Sequence, residues 1–150
     1  MSETTQEPLD SIDIDLTGVN IERPLLGKQT KLCVIGEVKL EKPEGRGRSL
    51  VIPLTLEEPA TSTTGATINP GFVVIDRILI DPTGGLTSAM IAERLARLQC
   101  AAQGTKTPVG KFDAAALPGK RVLVTFDVRP DKNDPEALYQ DVKRYSAPRS

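Results

Sequence analysis

Only one stretch of this chain carries a helical apolar period: LTSAMIAERLARLQCAAQG, residues 86–104. Met90, Ile91, Leu95, Leu98 and Ala102 recur at the three-and-four spacing of one helix face. Thr87 or Ser88 supplies a capping hydroxyl, and Leu86 with Ile91 has the spacing of a hydrophobic staple. Gly104 is a natural C-terminal stop. Glu93, Arg94 and Arg97 fall on the opposite face. The flanking segments read as strands. Before the helix, KLCVIGEVKL (31–40) places Leu32, Val34, Val38 and Leu40 on one face, with Gly36 at a bulge or bend. SLVIPLTLEE (49–58) points Leu50, Ile52, Leu54 and Leu56 inward, and Pro53 needs an edge or a bulge because it has no donor. FVVIDRILIDP (72–82) is apolar on both faces except at Asp76 and Arg77. After the helix, KRVLVTFDVRP (120–130) turns Val122, Val124, Phe126 and Val128 inward, and ALYQDVKRYSAP (137–148) ends the chain.

Three strands, one helix and two strands in 150 residues predict a mainly β protein. The order is that of an OB-like five-stranded Greek-key barrel with one α-helix between strands three and four. Residues 1–15 read as a flexible acidic arm and 16–148 as the folded domain, with IDIDLTGV (12–19) a short edge strand. EKPEGRGR is a hairpin loop, PATSTTGATINPG a polar loop and DKNDPE a turn. The connector TKTPVGKFDAAALPG holds a short turn at 113–117.

The chain has no histidine and two cysteines, Cys33 and Cys100. The commonest general base and metal ligand is therefore missing, and a Ser-His-Asp or Cys-His arrangement is impossible. A zinc site is nearly excluded. No cofactor, metal or catalytic residue is expected, and the chain reads as a non-enzyme. The enzymatic rival is a Mg²⁺-dependent nuclease built on Glu37 and Lys39 with Asp13 or Asp15. The polar, acidic start does not resemble a signal peptide and no window suits a membrane helix, so a cytoplasmic location with reduced thiols is expected. The net charge of -1 conceals an asymmetry: residues 1–29 hold six acids against two bases, and the remainder is mildly basic. An acidic arm of this kind suits basic partners, among them replication or recombination proteins, or else only solubilises the chain.

Several stretches together carry a resemblance: TGVNIERPLL, then INPGFVVIDRILIDPTGG running into IAERLARLQCAA, then LPGKRVLVTFDV followed by DVKRYSAP. Over roughly residues 16–148 they resemble small phage-encoded single-stranded DNA-binding proteins with an OB-like barrel. The resemblance implies sequence-independent binding of single-stranded DNA in phage replication or recombination, in the host cytoplasm. It does not fix which side chains touch DNA. The non-enzymatic alternative is a phage accessory protein that binds a replication or recombination enzyme.

In an OB-type groove the loops joining strands one to two and four to five frame the ligand. The first contributes Lys39, Lys42, Arg46 and Arg48, the second Arg129 and Lys132. Arg77 lies on the groove floor or in a structural ion pair. On the last strand Tyr139, Lys143 and Tyr145 share a face opposite Leu138 and Val142; Lys143 would meet phosphate, and the two tyrosines would stack on bases with Phe72, or pack across strands instead. With five aromatic residues and no tryptophan, stacking is scarce, so phosphate contacts would dominate and binding would depend steeply on salt.

Overall fold

The computed structural model describes residues 8–17, 24–42, 44–45, 47–134 and 136–148. β1 (Gln29–Ile35) and β2 (Lys39–Glu41) are two halves of one bent strand, and both run antiparallel to β3 (Ser49–Leu56). The bend centres on Gly36, where a Cβ would sit 3.2 Å from the Cβ of Pro53. Gly36 N–H donates to the Pro53 carbonyl at 2.8 Å. A residue's N–H and C=O leave a strand on the same side, so the donor that Pro53 lacks falls at this break in the ladder. Both punctuation residues thus act as the sequence suggests.

The loop after β3 is more regular than its composition implies. It contains a small hairpin of β4 (Ala60–Thr61) and β5 (Thr67–Ile68). The chain then enters β6 (Val73–Leu79), which covers the second edge of β3 from Thr55↔Val73 to Ser49↔Leu79. Next come the helix α1 (Ser88–Gln103), a 3₁₀ turn at Ala114–Ala116, β7 (Arg121–Pro130) against β1, and β8 (Leu138–Ser146) against β7. The long antiparallel sheet runs β6-β3-β1-β7-β8, with β2 extending β1 along β3. Its end strands β6 and β8 share no ladder, so the sheet is open and the expected barrel is not closed by backbone hydrogen bonds. Side chains span the seam instead. Tyr145 of β8 donates its hydroxyl to Asp76 of β6 at 2.6 Å, and Arg94 of α1 donates to the same carboxylate at 3.2 Å.

The core lies inside the curl. Leu50, Ile52, Leu54 and Leu56 of β3 and Val122, Val124 and Phe126 of β7 face it as expected. β1 differs from its expected face, since Cys33 and Ile35 are buried and Leu32 and Val34 only half-buried. That strand is apolar on both faces, so alternation alone does not choose between them. The bend at Gly36 also breaks the period, leaving Leu40 exposed. In α1, Thr87 Oγ1 accepts from Met90 N at 3.2 Å, and Gly104 ends the helix at φ 72°. Ile91, Leu98 and Ala101 seat the helix, while Met90 is 51% exposed and leaves the expected stripe. Buried Gln99 ties down the connector by accepting from Asp113 N at 2.8 Å.

Residues 9–11 form a 3₁₀ turn, and residues 12–17 form no strand. The edge strand expected at 12–19 is therefore absent over its described part; positions 18 and 19, like residues 1–7 of the expected flexible arm, lie outside the described residues. Leu9, Ile12, Ile14 and Leu16 are all exposed on this arm. Among the described residues no helix is long and apolar enough to cross a membrane.

Candidate functional site

The open seam between β6 and β8 gathers the chemistry. A cavity of about 560 Å³ there is lined by Ile75, Asp76 and Arg77 of β6, Arg94 of α1, Arg129 of β7 and residues 139–142 of β8. A second, about 400 Å³, lies at the start of β6 under Pro24, Leu25 and Phe72. A third, about 470 Å³, lies between the β2–β3 hairpin and β6 beside Glu41, Gly45, Gly47 and Leu79. Arg77 lines all three. The three cavities therefore adjoin at Arg77, a track from the β2–β3 hairpin across β6 to the start of β8.

The local sequence explains each position. Strict alternation on β6 buries Val74, Asp76 and Ile78 and exposes Ile75 and Arg77. Arg77 crosses to Glu41 of β2 at 3.7 Å, a loose pair between exposed side chains that is worth little. Across the seam, the Arg129 guanidinium sits 5.9 Å from the centre of the Tyr139 ring, within cation–π range. Tyr139 also donates its hydroxyl to Asp131 at 2.9 Å. Asp131 accepts from Asn133 N at 3.0 Å, which orders the β7–β8 turn. The amide hydrogen bond from Asn133 first, and then the Tyr139 hydroxyl, hold its carboxyl below the ordinary range.

The seam's ends are pinned differently. At one end the Gln140 side chain accepts from Leu26 N at 2.6 Å and donates to the Leu26 and Asp127 carbonyls. At the other stands the Asp76–Tyr145–Arg94 cluster. Burial pushes the Asp76 carboxyl up, and the Tyr145 hydroxyl and Arg94 only partly offset this. Burial likewise pushes the Tyr145 phenol well above 10, so it remains the donor.

The sequence-derived residues divide into groups. Arg77, Arg129 and Tyr139 meet at the track. Lys39, Lys42 and Lys132 are exposed on its flanks, and Phe72 is half-buried at one end. Among the described residues, Lys39, Lys42, Arg129 and Lys132 form no ion pair. Arg48 is less available, because its guanidinium and its own N–H grip Asp81 at 2.8 and 2.7 Å. This holds the Asp81 carboxyl down at about 2. Arg46 lies outside the described residues.

Tyr145 corrects the sequence reading: it is 7% exposed and does not share an outer face with Tyr139 and Lys143. The cause is a β-bulge. Thr125 pairs with Arg144 but Phe126 pairs with Val142, so Lys143 is an extra residue. Beyond it the alternation flips, and Val142 and Tyr145, three apart, both face inward. Lys143 instead points to Asp141 at 3.0 Å. Leu138, expected on the core face, is 43% exposed.

Arg94 and Gln140 were not anticipated at the site. Their roles follow from which helix face meets the seam and where residues 24–26 cross it, neither of which local pattern reveals. The nuclease alternative needs Glu37 and Lys39 on one strand face. Glu37 falls in the bend between β1 and β2 and shares no strand face with Lys39. Among the described residues no three of His, Cys, Asp and Glu gather as metal ligands. Both cysteines are free thiols, Cys33 buried and Cys100 half-buried. Compared with known proteins, the chain matches no family model and no curated protein.

Proposed function

We propose that the open sheet is an OB-type Greek-key fold and that the β6–β8 track binds single-stranded DNA without sequence preference, in phage replication or recombination. The observation that carries this is the position of Arg77 in all three adjoining cavities, between the hairpin cations and the Arg129–Tyr139 pair. With β1 and β2 counted as one strand, β3 and β6 are the second and third strands, and their outer face with the two flanking loops is where such folds take oligonucleotides. Tyr139 is the exposed ring on which a base can stack. Arg77, Arg129, Lys132, Lys39 and Lys42 neutralise phosphates. Five such contacts give a logarithmic salt slope of about -3.5, so affinity should fall about a hundredfold between 50 and 200 mM salt.

The test is fluorescence anisotropy of a labelled oligothymidine, with a duplex of equal length as control. Binding to the single strand, steeply weakened by salt and absent for duplex, supports the proposal. No binding at low salt refutes it. A second reading, docking to a replication or recombination enzyme, is favoured by the exposed alternation of Leu9, Ile12, Ile14 and Leu16 with Asp10, Asp13 and Asp15. Such a segment can add as a strand to a partner's sheet edge.

A further inference from the structure

A cavity more cationic than the seam lies beside the track. Between α1 and β8, a cleft of about 400 Å³ is lined by four cations, Arg94, Arg97, Lys143 and Arg144, against two carboxylates, Glu93 and Asp141. The seam cavity holds three cations, Arg77, Arg94 and Arg129, against Asp76 and Asp141. The two share Arg94, Asp141 and Val142, so they adjoin. We propose that this cleft is a second phosphate-binding stretch, taken by the same single strand as it leaves the seam. The inference rests on the single-strand reading above and extends it to residues that reading does not use.

Two features bring the cations together. The bulge at Lys143 lets Lys143 and Arg144 both lie exposed, where an unbroken strand would send them to opposite faces. On the helix, Arg94 and Arg97 are three residues apart and so share a face. Their engagements differ. Arg94 is committed to buried Asp76 and positions the cleft's floor. Arg97 and Lys143 are held by Glu93 at 2.7 Å and Asp141 at 3.0 Å, exposed pairs that a phosphate can displace. Arg144 has no carboxylate partner among the described residues and reaches only the Thr125 hydroxyl at 3.4 Å. Met90, half-exposed at the start of α1, gives the cleft an apolar wall.

The experiment compares the intact protein with Arg97→Ala/Arg144→Ala, and separately with Lys143→Gln, on oligothymidines of about 4 and about 16 nucleotides, the range of site sizes in such grooves. Anisotropy is followed from low to moderate salt. On the short strand all three proteins should bind alike. On the long strand the double variant should lose about 1.4 from the salt slope, two phosphate contacts at about 0.7 each, and Lys143→Gln about 0.7. Equal slopes for all three proteins on the long strand, with the intact protein binding both, would overturn the cleft and leave the seam standing. Failure of the intact protein to bind either strand would overturn the seam and the cleft together.

Discussion

Replacing Tyr145 by Phe isolates one hydrogen bond at the seam. The ring is 7% exposed and the substitution keeps its shape, so no cavity opens. What disappears is the 2.6 Å donation to Asp76, a carboxylate 6% exposed and left with only the longer contacts to Arg94 at 3.2 and 3.4 Å. A hydrogen bond to a buried charged group is worth about 1.5–3 kcal/mol. A loss near 2 kcal/mol in a chain of this size lowers Tm by roughly 4–8 °C. The deficit should depend on pH. Burial raises the Asp76 carboxyl above 3.8, so its ionisation opposes folding, and that opposition fades as pH falls through the raised value. Without the Tyr145 hydroxyl the carboxyl rises further. The Tyr145→Phe deficit should therefore be largest at neutral pH and shrink on acidification. Thermal denaturation followed by circular dichroism at several pH values measures this. In an Asp76→Ala background the same change should be neutral or stabilising, because the hydroxyl it removes is already an orphan. An equal Tm loss in both backgrounds, or none at neutral pH, would show that the Tyr145–Asp76 hydrogen bond does not carry this stability.

Four further outcomes are expected. Gly104→Ala forces a side chain into φ 72° at the end of α1 and should cost about 1–2 kcal/mol, read from a denaturant midpoint at unchanged m. The Cys33 thiol, pushed up to about 12 by burial and then by Glu58 and Glu57, should resist a thiol-reactive dye at pH 8 until the protein is unfolded. Tyr139→Ala should weaken oligothymidine binding by about 1–3 kcal/mol while barely changing its salt slope, whereas Arg77→Ala should lower the slope by about 0.7; equal slopes for Arg77→Ala and the intact protein would remove Arg77 from the track.

Much of the fold was legible where local pattern and packing agree. The helix ends follow from Thr87 and Gly104, the β3 and β7 core faces from alternation, although Val51 of β3 is buried as well, and the bend from Gly36 opposite Pro53. β1 is ambiguous in the sequence because both its faces are apolar, so its inward side is set by the strands around it. The small β4–β5 hairpin hides in a Thr- and Gly-rich loop with little apolar signal. Part of the site was readable as well. Arg77, Arg129 and Tyr139 stand out in the sequence by type and place, and they line or flank one candidate seam. Tyr145 was misplaced because one extra residue at Lys143 reverses every side chain beyond it, and the sequence VKRY carries no glycine or proline to mark a bulge. Arg48 was readable as a cation but its capture by Asp81, 33 positions later, was not.

The central claim is that single-stranded DNA lies along the β6–β8 seam. Its most direct test is photo-crosslinking of an oligonucleotide carrying 5-bromodeoxyuridine at each position in turn, followed by peptide mapping. Adducts are expected at Tyr139, competed away by unlabelled single strand and by added salt. Adducts confined to peptides outside β6, the β7–β8 turn and β8, or no adduct at low salt, would contradict it.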